Sequence, residues 1–217
     1  MKQFGYTVDG YTIPVMNERE IRAAAGLLFL GLFVAISQAG QGNFTVIKYY
    51  ITVFLADISI RLFVSPEFSP FLIMGRWIVR NQTPEYVGAV QKKFAWGIGF
   101  LLSATVFVLM VVFNTFSPIS GIACMLCLLF LFAETAFGIC IGCKLYGVIY
   151  KDKAQYCPGE VCLVQDRQAI QRVRPGQYLT VLLFAVLLAG LIFGAKDFYQ
   201  QVPYDLFGIE SHNHTAP

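Results

Sequence analysis

Charge is scarce in this chain: Asp, Glu, Lys and Arg make up 13% of its 217 residues, and only two histidines occur, both near the C-terminus. With 57% apolar residues and a mean hydropathy of +0.62, too little polar surface remains to clothe a soluble globule. No glycine-rich phosphate loop and no Gly-x-Ser-x-Gly pattern is present, which disfavours nucleotide chemistry and serine-based hydrolysis. The net charge of +3 is too small to point to nucleic acid, and membrane orientation accounts for its sign. Polar groups that would line a pore are also few, since the apolar runs hold little beyond Asp57, Arg61 and Glu134. Cysteine is missing from most of the chain as well. All six lie within one stretch of 39 residues, from Cys124 to Cys162.

What is present is hydrocarbon in lengths that suit a bilayer, whose core of about 30 Å takes roughly 20 apolar residues per helix. Apolar runs lie near 23–36, 44–64, 94–116, 119–143 and 178–195. They predict an all-α, polytopic membrane helix bundle of about five transmembrane helices. Between the second and third, residues 71–80 are too short to cross and place Arg76 and Arg80 one turn apart beside Trp77. This predicts an interfacial amphipathic helix with its basic side toward lipid headgroups. Lys and Arg collect before the first run, between the second and third, and between the fourth and fifth, while the opposite side holds Lys48 and Lys196. Since basic residues are retained in the cytoplasm, the expectation is a multi-pass membrane protein with a cytoplasmic N-terminus. The layout would be a cytoplasmic segment over 1–20, a four-helix unit over 21–150, a cytoplasmic cysteine-containing loop over 151–177, a fifth span over 178–195 and an external tail over 196–217.

Ionisable groups at bilayer depth are costly and persist with a partner or a role. Asp57 and Arg61 stand four residues apart, a spacing that lets them pair on one helix face, and a structural ion pair is the plainer reading. Glu134 has no such neighbour in its own run. It lies within about 20° of Cys127 on a helical projection and is read as a structural partner, to Arg61 for example, as a protonated carboxyl, or as the proton acceptor for a thiol.

Cys140 and Cys143 occupy Phe137-Gly-Ile-Cys-Ile-Gly-Cys-Lys144, where an apolar run meets a basic loop. A Cys-x-x-Cys can pass between dithiol and disulfide because the second thiol resolves the mixed disulfide formed by the first. Apolar burial disfavours the thiolate and a neighbouring cation favours it, so Cys143, beside Lys144, is expected to attack and Cys140 to resolve. Cys157 and Cys162 flank Pro158-Gly159, a turn that would bring the sulfurs together as a second exchange centre. Cys124 and Cys127 lie about 20 Å away along a continuous helix and read as core. The thiol reading implies no cofactor, and its partners would be the lipid bilayer and a cytosolic thioredoxin-like or sulfur-carrier protein. Two other classes remain open: Cys140, Cys143, Cys157 and Cys162 have spacing compatible with a structural metal site in a non-enzymatic scaffold, or the cysteines are packing residues beside a Gly138/Gly142 close-packing face.

One set of residues also carries a resemblance. Asn17-Glu18-Arg19, Asp57 with Arg61, Ser65-Pro66, Lys93-Phe94-Ala95 with Ile98-Gly99, and Glu134 followed by Phe137-Gly138-x-Cys140-x-Gly142-Cys143 resemble the bacterial membrane family catalogued as domain of unknown function 4395. The resemblance spans roughly residues 12 to 150 and implies a four-helix membrane unit whose activity is not established. It singles out Cys140 and Cys143. Cys124, Cys127, the Cys157 to Cys162 loop and the fifth span lie outside the shared pattern.

Overall fold

The computed structural model describes residues 4–150 and 173–205. Among the described residues eight helices carry the architecture, and strand is confined to short pairings. Asn17 starts α1 (Glu18–Ala39) by accepting a hydrogen bond from the Arg19 amide at 3.2 Å, the usual satisfaction of an orphan donor at a helix start. The same Oδ1 takes the Glu85 amide at 3.3 Å. The start of α1 is thereby tied to the antiparallel pairing of β1 (Val15–Asn17) with β2 (Tyr86–Gly88). Next come α2 (Thr45–Ser59), prolonged by a π-helical turn to Val64, the short α3 (Pro70–Ile78) and α4 (Ala89–Phe107), similarly prolonged to Val112. Ser117 opens α5 (Pro118–Phe137) with a reciprocal capping box to Ser120. After α6 (Ile141–Tyr150), helices α7 (Pro175–Gly194) and α8 (Lys196–Gln200) complete the described chain, with β3 (Thr115–Phe116) beside β4 (Tyr204–Asp205).

Among the described residues four helices, α1, α4 with its extension, α5 and α7, are long and apolar enough to cross a membrane. The expected second span, α2 with its π-helical extension to Val64, has the length but carries Lys48, Asp57 and Arg61. Its end-to-end contacts still follow the same axis. At its start the Lys48 ammonium donates to Asn114 Oδ1 at 2.5 Å and to the Gln201 carbonyl, groups at the end of α4 and just after α8. At its other end Arg61 lies 5.2 Å from the Trp96 ring near the start of α4. Apolar side chains such as Leu30, Leu101, Ile122 and Phe193 point outward, as lipid in place of water requires. Along α7 only Gln177 is buried.

The short helix corrects one expectation. Arg76 does not face headgroups: its side chain is 2% exposed, and its guanidinium grips Glu20 at 2.8 and 3.0 Å, the Tyr6 hydroxyl at 3.0 Å and Gln177 Oε1 at 3.1 Å. Burial opposes the Arg76 cation, but Glu20 and Tyr6 together outweigh it and the pKa rises. The outward face of α3 is Met74, Trp77 and Ile78, with Arg80 stacked 5.9 Å from the Trp77 ring. Gly75 is what allows the close seat on α1, because a Cβ there would lie 2.5 Å from the Glu20 carbonyl oxygen. Arg76 is therefore an inward staple joining α1, α3 and α7, while Arg80 stays on the exposed side.

Candidate functional site

The run expected to continue to Cys143 breaks at Gly138. This residue takes the left-handed conformation, φ 64° and ψ 22°, that closes a helix, with its amide bonding the Glu134 carbonyl at 3.1 Å and the Ile139 amide bonding that of Ala133 at 3.0 Å. Cys140 then stands immediately before α6 and Cys143 in its first turn. The Cys140 carbonyl accepts from the Lys144 amide at 3.1 Å, and its Sγ accepts from the Cys143 amide at 3.2 Å. Cys140 thus occupies the capping position, where a helix start favours negative charge. The two Cα atoms are 5.1 Å apart, inside the span a disulfide bridges, and the Sγ atoms meet as a disulfide pair. A regular helix would have held them less suitably, and the break at Gly138 removes that obstacle.

Both glycines of the motif act through close approach. A Cβ on Gly142 would sit 2.5 Å from Ala95 Cβ, so α6 lies hard against α4. At Gly138 it would sit 2.3 Å from an Arg22 guanidinium nitrogen, so α1 roofs the turn that presents Cys140. Exposure reverses the order expected from sequence. Cys140 is 9% exposed and Cys143 2%, although Lys144 beside it is exposed.

Glu134 has a partner that its own run could not reveal. Lys92, buried at the start of α4, contacts Glu134 and lies 2.7 Å from Glu18 Oε2. Arg22 reaches Glu18 at 3.3 Å and Glu85 at 3.8 Å, and Arg19 reaches Glu85 at 2.8 Å. One ammonium thereby joins α1, α4 and α5 beside the cysteine turn. Removing one partner from such a buried pair costs about 3 to 5 kcal/mol because the other charge is stranded. Asp57 and Arg61 pair as the plainer reading has it, at 2.5 and 2.7 Å. Asp57 also accepts from the Ser69 hydroxyl at 2.7 Å and the Phe71 amide at 3.2 Å, so its carboxylate serves the start of α3.

A cavity of about 80 Å³ opens among α1, α2, α4 and α5, walled mainly by apolar side chains, with Asp57, Arg61, Glu134, Cys127 and Cys140 on its surface. Cys140 is its link to the sulfur pair; Cys143 is not on the wall. Cys127 faces this space and Cys124 a larger apolar one of about 300 Å³ at the other end of α5. Both are buried free thiols. Cys157 and Cys162 lie outside the described residues, as do His212 and His214. Among the described residues no group of three or more His, Cys, Asp or Glu is placed to hold a metal ion.

In the sequence Lys92 belongs to the basic residues between the second and third runs, which suggest only orientation. Its signal was position, a lysine at the first turn of an apolar run with an unpaired glutamate in the next. These features define an all-α protein with membrane-length helices and a sulfur pair set at a helix break inside one end of the bundle. The family follows from the chain itself: residues 16–151 match the model described as Domain of unknown function (DUF4395), and the protein belongs to that family. No curated protein and no solved structure matches it.

Proposed function

We propose that this is an integral membrane protein that carries out thiol-disulfide exchange or sulfur handling through Cys140 and Cys143. The observation that carries the reading is the placement of Cys140 at the cap of α6, sulfur accepting the Cys143 amide, with Cys143 in bonding contact behind it. That amide and the helix start favour a Cys140 thiolate. Cys140 is therefore the attacking sulfur and Cys143 the resolving one, the reverse of the order that Lys144 suggested. Glu134, on the wall of the same cavity, is the nearby carboxylate to receive the Cys140 proton, held in place by Lys92. The basic end carries the pair and faces the cytoplasm of the inner membrane, with loop 151–177 on that side and the tail outside.

The metal-scaffold alternative is less well supported, because sulfurs joined to each other are not free to ligate as thiolates. A thioredoxin-like or sulfur-carrier partner would have to reach sulfurs this enclosed, and a small reagent meets them more readily.

Methyl methanethiosulfonate, which transfers a methylthio group to thiolates, tests the assignment on reduced protein in detergent. Cys143→Ser should keep the group on Cys140, the wild type should expel it and end as the Cys140 to Cys143 disulfide, and Cys140→Ser should react no faster than Cys124. Equal, slow labelling of both single variants would remove the exchange reading.

A further inference from the structure

The cavity beside Cys140 has a size and a position that select what can reach the pair. At about 80 Å³ it is roughly half the 150 Å³ that holds a benzene ring and has room for several waters. A peptide thiol or an aromatic carrier exceeds that volume. Its walls are mostly apolar, from residues such as Leu28, Phe54, Trp96 and Leu131, which suits a small, uncharged and weakly hydrogen-bonding molecule. The cavity touches Cys140 while Cys143 stays off its wall. A nucleophile there approaches the pair at Cys140 rather than at Cys143, and displacement at a disulfide sulfur requires direct sulfur contact.

We propose that the cavity admits hydrogen sulfide, which attacks Cys140 of the oxidised pair and leaves a persulfide there. The proposal rests on the reading of Cys140 and Cys143 as an exchange centre. In this step the sulfide sulfur forms a bond to Cys140 Sγ and the bond between Cys140 and Cys143 breaks, its electron pair leaving on Cys143. One sulfide proton stays on the terminal persulfide sulfur and the other ends on the Cys143 thiol. The sulfide is oxidised by the disulfide, which is reduced, so no further oxidant enters.

The test uses full-length protein in detergent, oxidised with diamide, exposed to sodium hydrosulfide or glutathione, then quenched with an iodoacetamide derivative and mapped by mass spectrometry. The expected product is Cys140 one sulfur atom heavier with Cys143 a free thiol. The folded protein should prefer sulfide over glutathione by more than about tenfold relative to the same protein unfolded in SDS, where access no longer discriminates. Leu131→Ala, which enlarges the cavity, should shrink that preference, and Ala25→Leu, which fills it, should slow the sulfide step. Sulfur on Cys143, or the same preference folded and unfolded, overturns the proposal while leaving the exchange centre intact. If diamide forms no disulfide between Cys140 and Cys143, as read after SDS quenching, the exchange centre itself fails and the sulfide step with it.

Discussion

Gly138 shows how one residue can decide the chemistry of its neighbours. Its positive φ ends α5 and its missing side chain leaves the space that the Arg22 guanidinium fills. Ala at this position would incur strain and a clash, a loss of more than about 1 kcal/mol. Thermal unfolding in detergent should show that Gly138→Ala lowers stability, and that Arg22→Ala recovers part of the loss, because the two changes share one contact and are not additive. Full additivity would mean that the arginine does not press on the turn. The glycine and both cysteines were legible in the sequence as one motif. Which cysteine is the more exposed was not, because Lys144 is close in the chain while its side chain points to the surface, and the exposure order follows from the helix break instead.

At the scale of the element, the informative pieces are those whose sequence and placement disagree. Composition reads the charges of α2 as a penalty, yet each is answered: Lys48 by Asn114 and Gln201, Asp57 by Arg61, Ser69 and an α3 amide. Helix α3 was legible as amphipathic, but Arg76 turns inward rather than outward, since its partner is Glu20, 56 positions earlier in the chain. A local pattern reports that a charged side exists and says nothing of a carboxylate brought to it by tertiary packing. Arg76→Lys should therefore destabilise the fold, because one ammonium cannot reproduce contacts to Glu20, Tyr6 and Gln177 together, whereas Trp77→Ala should leave the unfolding temperature nearly unchanged. Equal losses from both would argue against the staple. The same logic applies to Lys92→Met, which strands Glu18 and Glu134 side by side and should cost about 3 to 5 kcal/mol. Adding Glu134→Gln should return part of that loss, read by the same unfolding assay.

Across the whole molecule, Arg76 with Gln177 and Lys92 with Glu18 and Glu134 hold one end, and Lys48 with Asn114 and Gln201 holds the other. The proposed orientation rests on the basic residues, which are retained on the cytoplasmic side. A cysteine at exposed Arg80 should be labelled by an impermeant maleimide only from the cytoplasmic side, and one at exposed Gln41 only from outside. Labelling of both from one side would refute the proposed orientation. The central claim, that Cys140 and Cys143 form a reversible redox pair in this setting, is tested most directly by their thiol state in intact membranes. Differential alkylation after acid quenching, followed by mass spectrometry, should find Cys140 linked to Cys143 after mild oxidation and both free after reduction, with Cys124 and Cys127 as free thiols throughout. Two thiols that stay free under both treatments would contradict it.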